Sequence, residues 1–188
     1  MKTVTLGIQT YCGADLLDSC LRSIQKSIFD QGYSNMDVLV FDDGSPEAEA
    51  ELLRGVCKTF NAGYARGESN LGSTIRWNNI VKESKGDIVC FLNNDVVIPD
   101  RWFCSLLHFL TANKCGVASY LSQKVSRAEA EELVAKPRIP AVGSGRTPER
   151  ATELAGYCYA FTRENYALVG DFDEGLKQFV QDSDFCCR

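Results

Sequence analysis

The sequence predicts an α/β protein with a mostly parallel, Rossmann-like sheet flanked by helices. Three observations carry that expectation. Short apolar runs alternate along the chain with stretches of helical periodicity. Those runs, such as "DVLVFDD" and "DIVCFLN", are almost continuously apolar, as strands covered on both faces are. Three runs stop abruptly in polar residues: Thr10-Tyr11, Asp42-Asp43-Gly44-Ser45 and Asn93-Asn94-Asp95.

Residues 4–8 read as the first strand. From Leu17, apolar residues recur at Cys20, Leu21, Ile24 and Ile28, which is helical spacing. "DVLVFDDGSPE" is a buried strand breaking into a Gly-Ser-Pro turn, where a plain helix N-cap by Ser45 explains Gly44-Ser45 as well as a role at a site does. The next helix sets Leu52, Leu53, Val56 and Phe60 on one face. Residues 64–66 form a short strand, followed by the turn "ESNLGS". Residues 75–81 are helical, "DIVCFLN" is another strand, Phe103, Leu106, Leu107 and Leu110 mark another helix, and "GVASYL" another strand.

Beyond Ser122 the pattern weakens. "SRAEAEELVAK" predicts a short helix opened by a capping box, Ser126 with Glu129. "PRIPAVGSGRTPERATE" is a loop whose length compact domains tend to reserve for function. Order returns in "LAGYCYAFTRENYALVGDFDEGL". The chain stops at "DSDFCCR" within a helical pattern, which suggests a short natural form or a domain cut from something longer.

Composition narrows the class. The chain has 188 residues, enough for one domain with a real core. A net charge of -5 speaks against nucleic acid or an anionic membrane surface as the bulk partner. Nine scattered cysteines with no C-x-x-C pair, and the single histidine His108, do not resemble a zinc site or a secreted disulfide framework. Free buried thiols in a reducing cytoplasm fit better. The N-terminus reads as a first strand and not a signal peptide, and no run is long enough to cross a bilayer. His108, between Leu107 and Phe109, reads as a packing or surface residue, Cys186-Cys187 as filler, and Trp77 and Trp102 as core or rim aromatics.

In an open α/β sheet, ligands bind beyond the carboxyl ends of the strands. With parallel strands, the three polar ends share one edge. No G-x-G-x-x-G or G-x-x-x-x-G-K-[ST] motif is present, which removes support for a dinucleotide site and a P-loop. A nucleoside diphosphate with a divalent cation fits the residue types. An aromatic ring can stack the base, one carboxylate can bond base or ribose, and a strand-end carboxylate can hold the metal.

The parts come in a recognisable order: a strand ending in Thr10-Tyr11, "VFDDGS", "NLGSTIRWNN", "FLNND", "AGYCYAFTRENYALVGDFDE" and "QDSDFCCR". Over nearly its whole length the chain thereby resembles the inverting glycosyltransferases of family two, which have the GT-A fold. The tail is most similar to rhamnosyltransferase-like members. The resemblance implies a sugar transferase that uses a nucleoside-diphosphate sugar and Mg²⁺ or Mn²⁺. It further implies a carbohydrate or lipid-linked acceptor, surface polysaccharide or glycoconjugate synthesis, and a cytoplasmic place that includes the inner membrane face.

Carried over residue by residue, Thr10 and Tyr11 would meet the nucleotide, Tyr11 by stacking on a pyrimidine base; taken alone, Tyr11 reads equally as an aromatic plug at the sheet edge. Asp43 would bond base or ribose, with Asp42 structural or a helper. Asn70, Gly72 and Asn78 match the family's Asn-x-Gly…Asn stretch near the nucleotide; Asn78 alone also reads as helix-surface filler. "FLNND" stands in the place of the D-x-D motif. Asp95 would hold the metal, with Asn93 on ribose or metal and Asn94 beside it. The first carboxylate of D-x-D is missing, which should weaken metal affinity, although amide oxygens do bind hard cations. Asp182 occupies the family's general-base position, with Gln181 replacing the usual Glu and Asp184 and Arg188 as an ordering shell; the competing reading is a solvated acidic helix face. Asp173 and Glu174 would lie near donor sugar or acceptor.

The implied organisation is one GT-A domain over 1–188. Residues 1–121 form the nucleotide-sugar half, and 122–188 form an acceptor and catalytic half that is short at its C-terminus. Acceptor choice would reside in residues 122–155 and in whatever follows Arg188. Two other classes compete. One is a truncated, inactive nucleotide-sugar-binding module. The other is a nucleotidyltransferase, whose Gly-rich basic N-terminal loop "IQTYCGADLLD" lacks.

Overall fold

Residues 2–112, 116–119, 125–136, 156–176 and 184–186 are described by a computed structural model. In chain order the elements are β1 (Val4–Thr10), α1 (Ala14–Ser27), a 3-10 turn (Phe29–Gln31), β2 (Met36–Asp42), α2 (Glu47–Thr59), β3 (Gly63–Arg66), α3 (Ser73–Glu83), β4 (Ile88–Asn93), α4 (Trp102–Ala112), β5 (Val117–Ser119), α5 (Arg127–Ala135), β6 (Cys158–Thr162) and α6 (Arg163–Val169). The strands form one six-stranded sheet in the order β3-β2-β1-β4-β6-β5. β1, β2, β3 and β4 pair in parallel, and β6 pairs antiparallel with both β4 and β5.

Period-two alternation distributes the strand residues between two cores. Val4, Leu6, Ile8, Val38, Val40, Cys90, Leu92, Cys158 and Ala160 face one layer, where α1, α2 and α4 pack. Phe41, Val89, Phe91, Tyr159 and Phe161 face the other, with Trp77, Ile80 and Val81 of α3 and with Phe172 and Phe185. Both faces are covered, so the strands carry the continuous apolar runs seen in the sequence.

The helices follow their periodicity with one rotation. α1 buries Leu17, Cys20, Leu21 and Ile24 as spaced. α2 instead buries Ala50, Leu53 and Cys57, with Val56 and Phe60 at the margin of the core, while Leu52 is exposed. Adjacent positions on a helix point about a hundred degrees apart, so Leu52 and Leu53 cannot both face the sheet. The capping box of α5 forms as expected: the Glu129 N–H donates to Ser126 Oγ, and the Ser126 N–H donates to Glu129 Oε2 at 2.7 Å. α5 runs alongside α1, pinned by Arg127 on Asp15 at 2.5 Å and by Lys26, which donates to the Val134 and Lys136 carbonyls. A recess of about 610 Å³ between these helices includes Asp18, Arg22 and Glu131. Its carboxylates and arginines are mutually paired and Lys26 is spent on backbone carbonyls, as in a seam between helices. No helix among the described residues is long and apolar enough to cross a membrane.

Candidate active site at the carboxyl edge of the sheet

The register brings the three polar strand ends level. Thr10 pairs with Asp42 across β1 and β2, and Gln9 pairs with Asn93 across β1 and β4. Thr10 is buried; its hydroxyl donates to the Cys12 carbonyl at 2.8 Å and accepts from Asn94 Nδ2 at 2.9 Å. That bond ties the β4 end to the β1 end. Tyr11 is 49% exposed, a large ring left at the rim. Asp95 is exposed and Asn93 half-buried. The Asn93 backbone is anchored on both sides: its N–H donates to the Tyr157 carbonyl at 2.9 Å, and its carbonyl accepts from the Cys20 thiol at 3.7 Å.

The loop after Asp95 is fixed from α1. Ser23 Oγ accepts from the Ile98 N–H at 3.1 Å, and Ser27 Oγ donates to the Ile98 carbonyl at 2.9 Å. These serines lie one turn apart on one helix face, so both backbone groups of Ile98 are satisfied by one stripe of small polar residues. The strand-end turn is thus held by a buried frame and turns its carboxylate to solvent.

Asp42 and Asp43 have separate jobs. Asp42 is fully buried and accepts from the Ser45 N–H at 2.9 Å, the Ser45 hydroxyl at 2.5 Å and the Tyr64 hydroxyl at 2.6 Å, with Arg66 Nε 3.5 Å away. Burial, then this bond, pushes the Tyr64 phenol up from its usual range, so it remains a donor. Asp42 is therefore structural. Ser45 does not cap α2, whose N-cap is Pro46 without a side-chain bond; it bridges Asp42 to the Cys12 N–H at 2.8 Å. Gly44 takes φ 76°, and a Cβ there would lie 2.5 Å from the Ser69 backbone. The turn after β2 can approach the 69–72 loop only as glycine.

Asp43 is 1% exposed and accepts from the Leu71 and Gly72 N–H groups, both at 2.9 Å, and from Arg76 Nε. It locks the loop ahead of α3 to the β2 end. Among the described residues Oδ2 takes one of these bonds, from the Gly72 N–H, which leaves one of its two acceptor positions unfilled. Gly72 thus reaches the edge through its backbone, and Asn70 is exposed beside it. Asn78 spends its amide nitrogen on the Phe172 carbonyl and Glu174. It is buried on α3 against residues 172 and 174, with Asp173 and Glu174 exposed there. Asp182, with Gln181 and Arg188, lies outside the described residues. Phe185, close by in sequence, is buried and stacks on Phe172 with ring centroids 4.2 Å apart.

A protein-family model for glycosyl transferase family 2 matches residues 5–163. The chain belongs to that family. Among curated proteins no sequence match is found. Among solved structures, the mannosyltransferase PcManGT from Pyrobaculum calidifontis, in complex with GDP-Man and Mn²⁺, superposes with a TM-score of 0.71 at 18% identity, over 97% of this chain and 50% of that one. The S. aureus protein TarS, residues 1–349, superposes with a TM-score of 0.68 at 18% identity, over 98% of this chain and 54% of that one; its complex with UDP gives 0.67. These likenesses concern the fold, which is of the GT-A type. The family 2 chain spans about half the length of these proteins.

Sequence reasoning missed Arg76. It is 3% exposed, paired with Asp43, and sits over the Phe41 ring at 5.3 Å. Its one signal was an arginine among the apolar residues of "STIRWNNIV", the kind of buried charge that requires a partner. It missed Ser23 and Ser27 as well, since serines facing a core carry no motif. Among the described residues, no cluster of three or more His, Cys, Asp or Glu is arranged to hold a metal ion.

Proposed function

We infer that this chain carries out inverting transfer of a sugar from a nucleoside-diphosphate sugar to an acceptor hydroxyl, with Mg²⁺ or Mn²⁺ at the diphosphate. The observation that supports it is the level edge in a family 2 chain: an exposed ring at Tyr11, a locked carboxylate at Asp43 and an exposed carboxylate at Asp95. Tyr11 offers a stacking face for the base. The remaining Oδ2 position of Asp43 accepts from base or ribose, with Thr10 and Asn70 beside it and the Gly72 backbone spent on holding Asp43.

The donor set fits a cation that arrives with the diphosphate. Small hard cations keep several waters and take one or two carboxylates plus phosphate oxygens, not a dedicated protein cage. Asp95 supplies one exposed carboxylate, with the neutral Asn93 and Asn94 next to it; a standing three-ligand cage is not found among the described residues. When bound, the cation offsets the negative charge on the leaving diphosphate.

In the transfer, the acceptor oxygen bonds to the anomeric carbon, the bond from that carbon to the diphosphate breaks, and the acceptor proton goes to a carboxylate. Asp182 takes that proton in this reading, which rests on its place in the family motif. Residues 1–121 form the nucleotide-sugar half and 122–188 the acceptor and catalytic half, with Asp173 and Glu174 near donor sugar or acceptor; the acceptor is a carbohydrate or lipid-linked hydroxyl met in the cytoplasm or at the inner membrane face.

Calorimetry with UDP and GDP, with and without Mn²⁺, tests the reading, followed by turnover with a panel of nucleotide-sugars. Asp95→Ala should abolish the Mn²⁺-dependent part of nucleotide affinity. Asp182→Asn should leave that affinity in place and lower turnover by about two to four orders of magnitude. Normal Mn²⁺-dependent binding by Asp95→Ala would remove the strand-end site. Nucleotide binding without turnover by the parent on any donor would favour an inactive binding module.

A further inference from the structure

Asn78 is buried within α3 at 0% exposure, and its hydrogen bonds run to residues 172–174 and to Tyr166 of α6. Its amide nitrogen donates to the Phe172 carbonyl and to Glu174 Oε1, both at 3.0 Å. Its amide oxygen accepts from the Phe172 N–H at 2.9 Å and has the Tyr166 hydroxyl 3.2 Å away. An asparagine amide has two N–H groups. Both are spent here, so Asn78 has no donor left for a nucleotide. One turn earlier on the same face, Thr74 Oγ1 donates to the Leu176 carbonyl at 2.5 Å.

Residues 172–176 therefore run along α3 from Asn78 toward Thr74, in the direction of the helix N-terminus, where Gly72 bonds Asp43. The start of the segment is fixed twice. Asn78 holds the Phe172 backbone, and the Phe172 ring packs with Trp77 and Phe185 at centroid distances of 5.4 and 4.2 Å. Between these anchors Asp173 and Glu174 are exposed. Asp173 folds onto its own backbone, accepting from the Gly175 N–H at 2.9 Å. Glu174 differs: one carboxylate oxygen is fixed by Asn78, which sets the direction of the other.

We propose that Asn78 is a positioning residue that aims Glu174, so that Glu174 Oε2 accepts a hydrogen bond from a hydroxyl of the donor's sugar. Residues 172–176 then form a sugar-reading rim braced on α3. The proposal rests on the donor-site reading above. It moves Asn78 from the nucleotide to the sugar, one residue removed from contact.

The test is a ratio measured by calorimetry with Mn²⁺ present: the Kd of a nucleotide-sugar over the Kd of its bare diphosphate, using UDP-glucose and UDP-N-acetylglucosamine against UDP, and GDP-mannose against GDP. In Glu174→Ala, an exposed change that spares the core, bare UDP and GDP affinities stay within about twofold, while the ratio for the preferred sugar worsens about tenfold or more, the expected range for a hydrogen bond to a charged group. Asn78→Asp, which keeps an acceptor for the Phe172 N–H and loses both donors, shifts the ratio the same way. Adding Glu174→Gln to Asn78→Asp restores a side-chain hydrogen bond with reversed polarity and recovers part of the ratio, which general loosening of the fold would not do.

An unchanged ratio in Glu174→Ala overturns the proposal and leaves the donor site standing. Equal loss of bare diphosphate and nucleotide-sugar in Asn78→Asp also overturns it, since Asn78 would then serve the fold or the nucleotide. If the parent binds neither UDP nor GDP with Mn²⁺, the donor-site reading falls and the proposal falls with it.

Discussion

Two adjacent aspartates, identical in chemistry, do different work because of what the rest of the chain sends to them. Asp42 collects donors from Ser45 and Tyr64, and Asp43 from Leu71, Gly72 and Arg76. The Asp43–Arg76 pair is buried on both sides, so its two charges depend on each other. Removing one partner of a buried pair leaves an uncompensated charge and typically costs about 3–5 kcal/mol, whereas replacing both is often nearly neutral. Arg76→Met should therefore lower unfolding stability in urea by about that amount, and adding Asp43→Asn should recover a large part of it. Additive losses in the double variant would show that the two side chains act independently. The sequence marked both aspartates as strand-end residues, which they are. It could not rank them, because their partners lie 3 to 33 positions further along the chain and carry no local pattern.

At the scale of elements, the apolar periodicities were legible and the polar tethers were not. α1 appears where Leu17, Cys20, Leu21 and Ile24 predict it, yet the same helix also carries Ser23 and Ser27, which hold the loop that follows Asp95. α2 was legible as a helix but rotated, since neighbouring leucines offered two faces and burial selected the one with Ala50, Leu53 and Cys57. The three strand ends were legible as one edge because parallel pairing follows from continuous apolar runs. The tethers of Asn78 were not legible for a physical reason: its partners stand 88 to 96 residues away, and no spacing within α3 points to them. Ser23→Ala should strand the buried Ile98 N–H and cost about 1–3 kcal/mol in denaturant unfolding. Ser19→Ala, whose hydroxyl among the described residues bonds the Asp15 carbonyl of its own helix, should cost less than about 0.5 kcal/mol. Equal effects at the two positions would mean that the tether to Ile98 contributes nothing.

Across the whole molecule, the cysteines report how the sheet is covered. Cys20, Cys57, Cys90 and Cys158 are buried, Cys12 and Cys186 are half-buried, and Cys104 is exposed. Cys20, Cys90 and Cys158 share the core between α1, α4 and the sheet. Burial raises the Cys158 thiol far above its usual range; it raises Cys20 likewise, with the Asp95 charge adding to it, and pushes Cys57 up to about 12. The sign follows directly. Alkylation needs thiolate, and a group whose folded pKa is raised holds almost none near pH 7.5, whereas an exposed thiol near 8.5 holds about a tenth. Among the described cysteines, iodoacetamide at pH 7.5 under native conditions, followed by peptide mass spectrometry, should label Cys104 first and Cys12 and Cys186 more slowly. Raising the pH to 9 should leave Cys20, Cys57 and Cys158 silent, and Cys90, at 0% exposure, is shielded within the same core. They can react only when the structure opens, so Cys20, Cys90 and Cys158, which share one core, should label together and with the denaturant dependence of global unfolding. Early, separate labelling of Cys158 would mean that the antiparallel β6–β5 side of the sheet opens on its own. The sheet would then behave as a stable parallel half with a looser neighbour beside it, and the core shared by Cys20, Cys90 and Cys158 would not open as one unit.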